Sequence, residues 1–88
     1  MLKIFRTNSF KKDYKKLNTD DKSRLKQVVI TLSNKAKLDK SYKDHKLIGN
    51  YFGCRECHIR PDLLLIYSID DHTIELALVR VGSHSKLF

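Results

Sequence analysis

Leu63-Leu64-Leu65-Ile66-Tyr67 is the longest apolar run in the chain, and it restricts the fold more than any other feature. It falls far short of the ~20 residues needed to cross a bilayer. It is also too uniformly apolar for a strand with one wet face, which would alternate. The run, extended to Ile69, is therefore expected as the central strand of a sheet, covered on both sides. The rest of the 88 residues must supply that cover as a single domain, residues 1–88.

The first half of the chain carries helical periodicity. Leu2-Lys3-Ile4-Phe5 suits a short strand. Phe10, Tyr14 and Leu17 then recur at i, i+4, i+7, and Leu25, Val28, Val29 and Leu32 repeat the pattern. These spacings predict amphipathic helices over residues 9–17 and 20–34. Asn8 or Ser9 is the candidate cap of the first, and Asn18-Thr19-Asp20 breaks and recaps the chain before the second. So short a link predicts an antiparallel hairpin. Residues 35–44 read as a loop.

Beyond it the period changes to two. Cys54–Arg60, Leu63–Ile69 and Thr73–Val81 read as strands, the last with Ile74, Leu76 and Leu78 on one face. Pro61 marks a turn or bulge, and Asp70-Asp71-His72 makes a tight hairpin connection. The C-terminal residues suit a turn and one helical turn. The expected fold is α+β: an N-terminal strand and a two-helix hairpin packed on a mostly antiparallel twisted sheet of about four strands.

Charge divides the chain in the same place. The net charge is +8. Residues 1–50 hold 14 Lys/Arg against five Asp/Glu, while residues 51–88 hold four against five. A basic half beside a near-neutral half is the pattern of a surface that docks a polyanion, although a solvated lysine face gives the same count. Charge supplies affinity and approach rate, not chemistry.

The chemistry has to come from a few side chains. In the strand Arg55-Glu56-Cys57-His58-Ile59-Arg60, residues two apart share a face, which groups Glu56, His58 and Arg60. Asp62, past Pro61, can turn toward them. An imidazole, an acid and a guanidinium suit RNA cleavage by the substrate's own 2′-hydroxyl. One group removes the hydroxyl proton, another protonates the leaving 5′-oxygen, and a cation holds the developing charge. Histidine serves either proton role near neutral pH, arginine clamps phosphate, and no metal or other cofactor is required. His45 and His84 sit at junctions between elements, where functional residues concentrate. His72, in the hairpin turn, reads as a plain surface residue. Cys54 and Cys57 spell C-x-x-C, but no second ligand pair accompanies them. In a strand their sulfurs face opposite ways, so they read as two reduced, partly buried thiols.

Three blocks complete the reading: Tyr42-Lys43-Asp44-His45-x-Leu47-x-Gly49, Arg55-Glu56-x-His58-x-x-Pro61-Asp62 with the apolar run, and Arg80-x-Gly82-Ser83-His84-Ser85-x-Leu87-Phe88. In this order and spacing they resemble the YafQ branch of the RelE/ParE toxin superfamily, over essentially the whole chain. The resemblance implies a type II toxin–antitoxin toxin that acts as a ribosome-dependent mRNA endonuclease and so inhibits translation. It implies that His45 and His58 share the acid and base roles, with Asp62 and Glu56 tuning them. Arg80 would contact the scissile phosphate, His84 would assist proton transfer or stabilise the transition state, and Phe88 would stack on or position an mRNA base. It further implies mRNA, ribosomal RNA and a cognate acidic antitoxin as partners, with operator DNA reached only through the antitoxin. Glu56 stands where some members have aspartate, Cys54 where an aromatic is frequent, and Tyr51-Phe52 where tryptophan is common.

Two other readings suit the same composition: a non-enzymatic toxin of the ParE kind that binds gyrase, and a plain RNA-binding module. With no apolar stretch of signal length in MLKIFRTNSFKK and no membrane partner indicated, the expected location is the cytoplasm.

Overall fold

The computed structural model describes residues 1–88. Leu63–Asp70 forms the middle strand, β4, of a five-stranded sheet. It pairs antiparallel on one side with β3 (Arg55–Arg60) and on the other with β5 (Glu75–Gly82). β1 (Lys3–Arg6) runs parallel to β5 along one edge. The two-residue β2 (His45–Lys46) closes the other edge against β3. The order is β1-β5-β4-β3-β2. The apolar run is central, as its composition requires, and Leu63 to Tyr67 are all buried.

Both long helices cover one face of the sheet. α1 (Asn8–Lys15) contributes Phe10, and α2 (Thr19–Ser33) contributes Leu25, Val28, Val29 and Leu32. These meet Cys57, Ile59, Leu65, Tyr67, Leu76, Leu78 and Val81 in the main core. Leu64, Ile66 and the buried Leu87 of α3 (His84–Leu87) form a smaller cluster on the opposite face, backed by Leu47, Tyr51, Cys54 and Val79. That second face is thinly covered, and the candidate site lies on it.

Several local expectations are corrected. Thr7, not Asn8 or Ser9, caps α1: its Oγ1 accepts from the Phe10 amide at 3.0 Å and donates to the Val79 carbonyl at 2.7 Å. Asn18 caps α2 by accepting from the Asp21 amide. The strand read as starting at Thr73 begins only at Glu75, because Ile74 sits in the turn with a left-handed φ of 58° and is half exposed. β2 was hidden inside polar sequence, and the loop before it contains a 3-10 turn at Lys40–Tyr42. The sheet therefore has five strands rather than four.

Candidate active site

β3 carries the centre of the site. Its two-residue period sends Cys57 and Ile59 into the helix-covered core and turns Glu56 and His58 to the other face. β2 places His45 directly opposite Glu56 in antiparallel register. Opposed residues share a face with Cβ atoms about 4.5–5.5 Å apart, so backbone pairing alone brings His45 to the carboxylate. Nε2 of His45 lies 3.4 Å from Glu56 Oε1, and Nε2 of His58 lies 3.7 Å from the same oxygen. The two imidazole centroids are 6.5 Å apart. Glu56 is 4% exposed, whereas the His45 side chain is 49% exposed. The acid is thus the buried floor between two more accessible bases.

The His45 tautomer follows from its neighbour. Nδ1 lies 2.8 Å from the Lys43 carbonyl oxygen, which can only accept. Nδ1 therefore carries hydrogen, and Nε2, facing Glu56, is the atom left to exchange a proton.

Two β-bulges decide which arginines join this face. The β3–β4 register shifts between His58 and Arg60, so that Arg60 pairs with Leu63, a residue of the helix-side core. The extra residue turns Arg60 through the sheet plane. It makes a two-bond pair with Asp21 of α2, at 2.9 and 3.0 Å. Arg60 therefore does not share a face with Glu56 and His58, contrary to the unbroken alternation expected from sequence. The shift at Ile66/Tyr67 does the reverse for Arg80, which pairs with Ile66 on the site face.

Arg80 is also tethered. β1 stops pairing with β5 at Leu78, and α1 continues along the open edge. There the Asp13 carboxylate accepts from Arg80 Nε at 2.7 Å, Arg80 Nη2 at 3.0 Å and the Val81 amide at 3.2 Å. Burial pushes the Asp13 carboxyl up, but these hydrogen bonds and the charges of Arg80 and Lys86 outweigh it and hold the pKa below the usual value. Beyond Arg80, Phe88 meets Tyr51 edge-on at 5.7 Å and lies 5.0 Å from the His84 ring. Leu87, packed on Leu64 and Ile66, anchors this C-terminal turn.

The remaining expected residues are placed differently. Asp62 is exposed in the β3–β4 turn, where its charge acts on Arg60, and it bonds to neither histidine. His72 is exposed in the β4–β5 turn. Cys57 is in the main core and Cys54 is on the opposite face, both as free thiols.

A basic cleft of about 390 Å³ opens beside His58, with Arg24, Lys43 and Arg60 in its walls. A larger groove, about 780 Å³, lies away from the histidines between β1, α1 and α2. Phe10 and Leu25 line its floor, and Lys11, Lys15, Lys22 and Lys26 its rim.

Four further residues belong to this architecture: Asp13, which tethers Arg80, Tyr51, which meets Phe88, and the pair Asp44 and Tyr67, in which the tyrosine hydroxyl donates to Asp44 Oδ2. Only Tyr67 carried a signal, since a tyrosine in a doubly covered strand needs a partner for its hydroxyl.

Residues 2–88 match the family described as the bacterial toxin of type II toxin–antitoxin systems, YafQ. The mRNA interferase toxin YafQ of Escherichia coli is 36% identical over 69 residues, 77% of this chain and 73% of that protein. A copper-bound mutant toxin from Helicobacter pylori superposes with a TM-score of 0.90 at 48% identity, over all of both chains. YafQ in the E. coli DinJ–YafQ complex superposes with a TM-score of 0.83 at 32% identity, over all of this chain and 99% of that one. In the present chain no group of three or more His, Cys, Asp or Glu side chains is arranged so as to hold a metal ion.

Proposed function

The chain belongs to the YafQ family of type II toxin–antitoxin toxins, and from that premise we propose that it is an endoribonuclease that cuts mRNA held by the ribosome, in the cytoplasm. The observation that carries the reading is the convergence of His45 and His58 on the buried carboxylate of Glu56. One neutral imidazole takes the proton of the 2′-hydroxyl, which attacks the adjacent phosphorus. The other, protonated, gives its proton to the departing 5′-oxygen, leaving a 2′,3′-cyclic phosphate. Glu56 steadies whichever ring carries the charge. Each proton transfer is worth about 10²–10⁴ in rate.

Arg80 uses Nε and Nη2 on Asp13, so its Nη1 edge is the one offered to a phosphate oxygen. The Asp13 hydrogen bond pushes the Arg80 pKa up, and the group stays cationic throughout. His84 and Phe88 line the far end, where an aromatic ring gives a base a stacking surface. Asp62 acts only through its charge at the turn. The cleft beside His58, with Arg24 and Lys43, gives the RNA backbone a cationic approach. Dependence on the ribosome fits a site that supplies proton-transfer groups on an open face with little to enclose a substrate. Alignment of the RNA is then the ribosome's share of catalysis.

The second partner in this reading is a cognate antitoxin, as DinJ is found with E. coli YafQ. The groove beside α1 and α2 pairs an apolar floor with a lysine rim, which matches an amphipathic acidic segment. Operator DNA would be reached only through that partner.

The test is single-turnover cleavage of mRNA on programmed ribosomes. His45→Ala, His58→Ala and His84→Ala are each expected to lose at least about 10²-fold, and wild-type fragments are expected to end in cyclic phosphate. Full activity in all three variants, or gyrase inhibition with no RNA cut, would refute the proposal.

A further inference from the structure

We propose that Asp44, Arg55 and Tyr67 form a positioning clamp for His45, acting from the opposite face of the sheet. The inference rests on the role given to His45 above.

His45 needs such support. β2 is two residues long, lies at a sheet edge and makes only two residue pairings with β3. The Leu47 amide adds one bond to the Cys54 carbonyl. So short an edge strand frays unless something else holds it, and the imidazole it carries is half exposed. Asp44 immediately precedes His45. Its Oδ1 accepts from Arg55 Nε at 2.9 Å and its Oδ2 accepts from the Tyr67 hydroxyl at 2.5 Å.

The two donors differ in what they contribute. Tyr67 is 1% exposed in the central strand, which is paired on both sides. Arg55 stands on β3, opposite Lys46. Asp44 is thereby tied to the two strands nearest the site. Because neighbouring residues on a strand point to opposite faces, fixing Asp44 behind the sheet fixes His45 in front of it. The same segment carries the Lys43 carbonyl that holds His45 Nδ1. Lys43 itself adopts a left-handed φ of 51°, a conformation that costs a non-glycine residue energy and needs the flanking contacts to persist. The clamp thus sets both the position and the tautomer of the ring. Arg55 and Tyr67 lie on the face of the sheet opposite Glu56 and His58.

Tyr67→Phe removes one hydroxyl and leaves the core volume unchanged. Asp44→Asn keeps the shape and removes the charge. The expected result for both is a single-turnover rate about tenfold lower, since small misplacements of catalytic groups are costly, with ribosome affinity unchanged. In NMR spectra of the free protein, the His45 ring signals are expected to shift and broaden while those of His72, exposed in the β4–β5 turn, stay in place. The Leu47 amide should exchange faster. His45 signals and rate that match wild type in Tyr67→Phe would overturn the clamp, even if Asp44→Asn fails to fold. The NMR arm needs no RNA. Unchanged cleavage in His45→Ala would therefore strike the role of His45 and not its positioning.

Discussion

Removing the Asp13 carboxylate is expected to cost this small domain about 3 kcal/mol. Asp13 is 5% exposed and accepts three hydrogen bonds, two from Arg80 and one from the Val81 amide. Breaking a fully buried ion pair by deleting one partner costs roughly 3–5 kcal/mol. Arg80 keeps a quarter of its side chain in solvent, so the Coulombic part falls below that range. The Val81 amide loses its acceptor at the open edge of β5, and a buried unsatisfied donor costs roughly 1–3 kcal/mol. Together these give the estimate for Asp13→Ala. In a chain of this size it corresponds to a fall in Tm of ~12–24 °C. Asp13→Asn, which keeps an acceptor for Val81, should fall between. The control is Asp71→Ala: Lys35 and Asp71 meet at 3.9 Å with both side chains mostly exposed, and such pairs are worth about 0–1 kcal/mol. Urea unfolding followed by circular dichroism measures all three. Equal losses in Asp13→Ala and Asp71→Ala would refute the claim that Asp13 holds the edge of the sheet.

Two further outcomes concern buried titratable groups. The folded pKa of Asp13 is depressed, so the stability it contributes is complete above the ordinary carboxyl value of 3.8 and is lost as pH falls through the lower folded value. Asp21, held down by its hydrogen bond from Arg60, behaves in the same way. The stability gap between wild type and Asp13→Ala should therefore be constant from pH 7 to about 5 and narrow below pH 3.8; a gap that widens in acid would contradict the assignment. Burial pushes the Cys57 thiol up to about 12, so in the folded protein it should resist thiol reagents at pH 8 and react only on unfolding. Rapid labelling of Cys57 without loss of structure would show that the core around it is open.

The legible parts of the fold were those written as periodicity. Phe10 and the Leu25, Val28, Val29, Leu32 stripe announced the helices, and Leu63–Tyr67 announced the central strand. The two-residue β2 was illegible, because its pairing depends on register with β3 and not on its own composition. The site divides on the same line. Glu56 and His58 are i and i+2 on one strand, so their shared face was readable. His45 reaches them across a strand pair, a relation that local sequence does not encode and that only the family resemblance supplied. The two arginines show the limit most clearly. One bulge removes Arg60 from the site face and another brings Arg80 onto it; Pro61 marked a turn or bulge beside the first, but nothing in the residue pattern marked the second or the change of parity that either one causes. Asp13, 67 positions from Arg80, had no signal at all.

In the proposed reaction His45, Glu56 and His58 cut mRNA held in a translating ribosome. The most direct test maps 5′ ends of cellular transcripts within minutes of induction, for wild type and for His58→Ala. The expected result is new ends confined to coding regions, in phase with the reading frame, lost in the variant and lost when translation is blocked. Ends spread over untranslated RNA, or persisting in the variant, would contradict it.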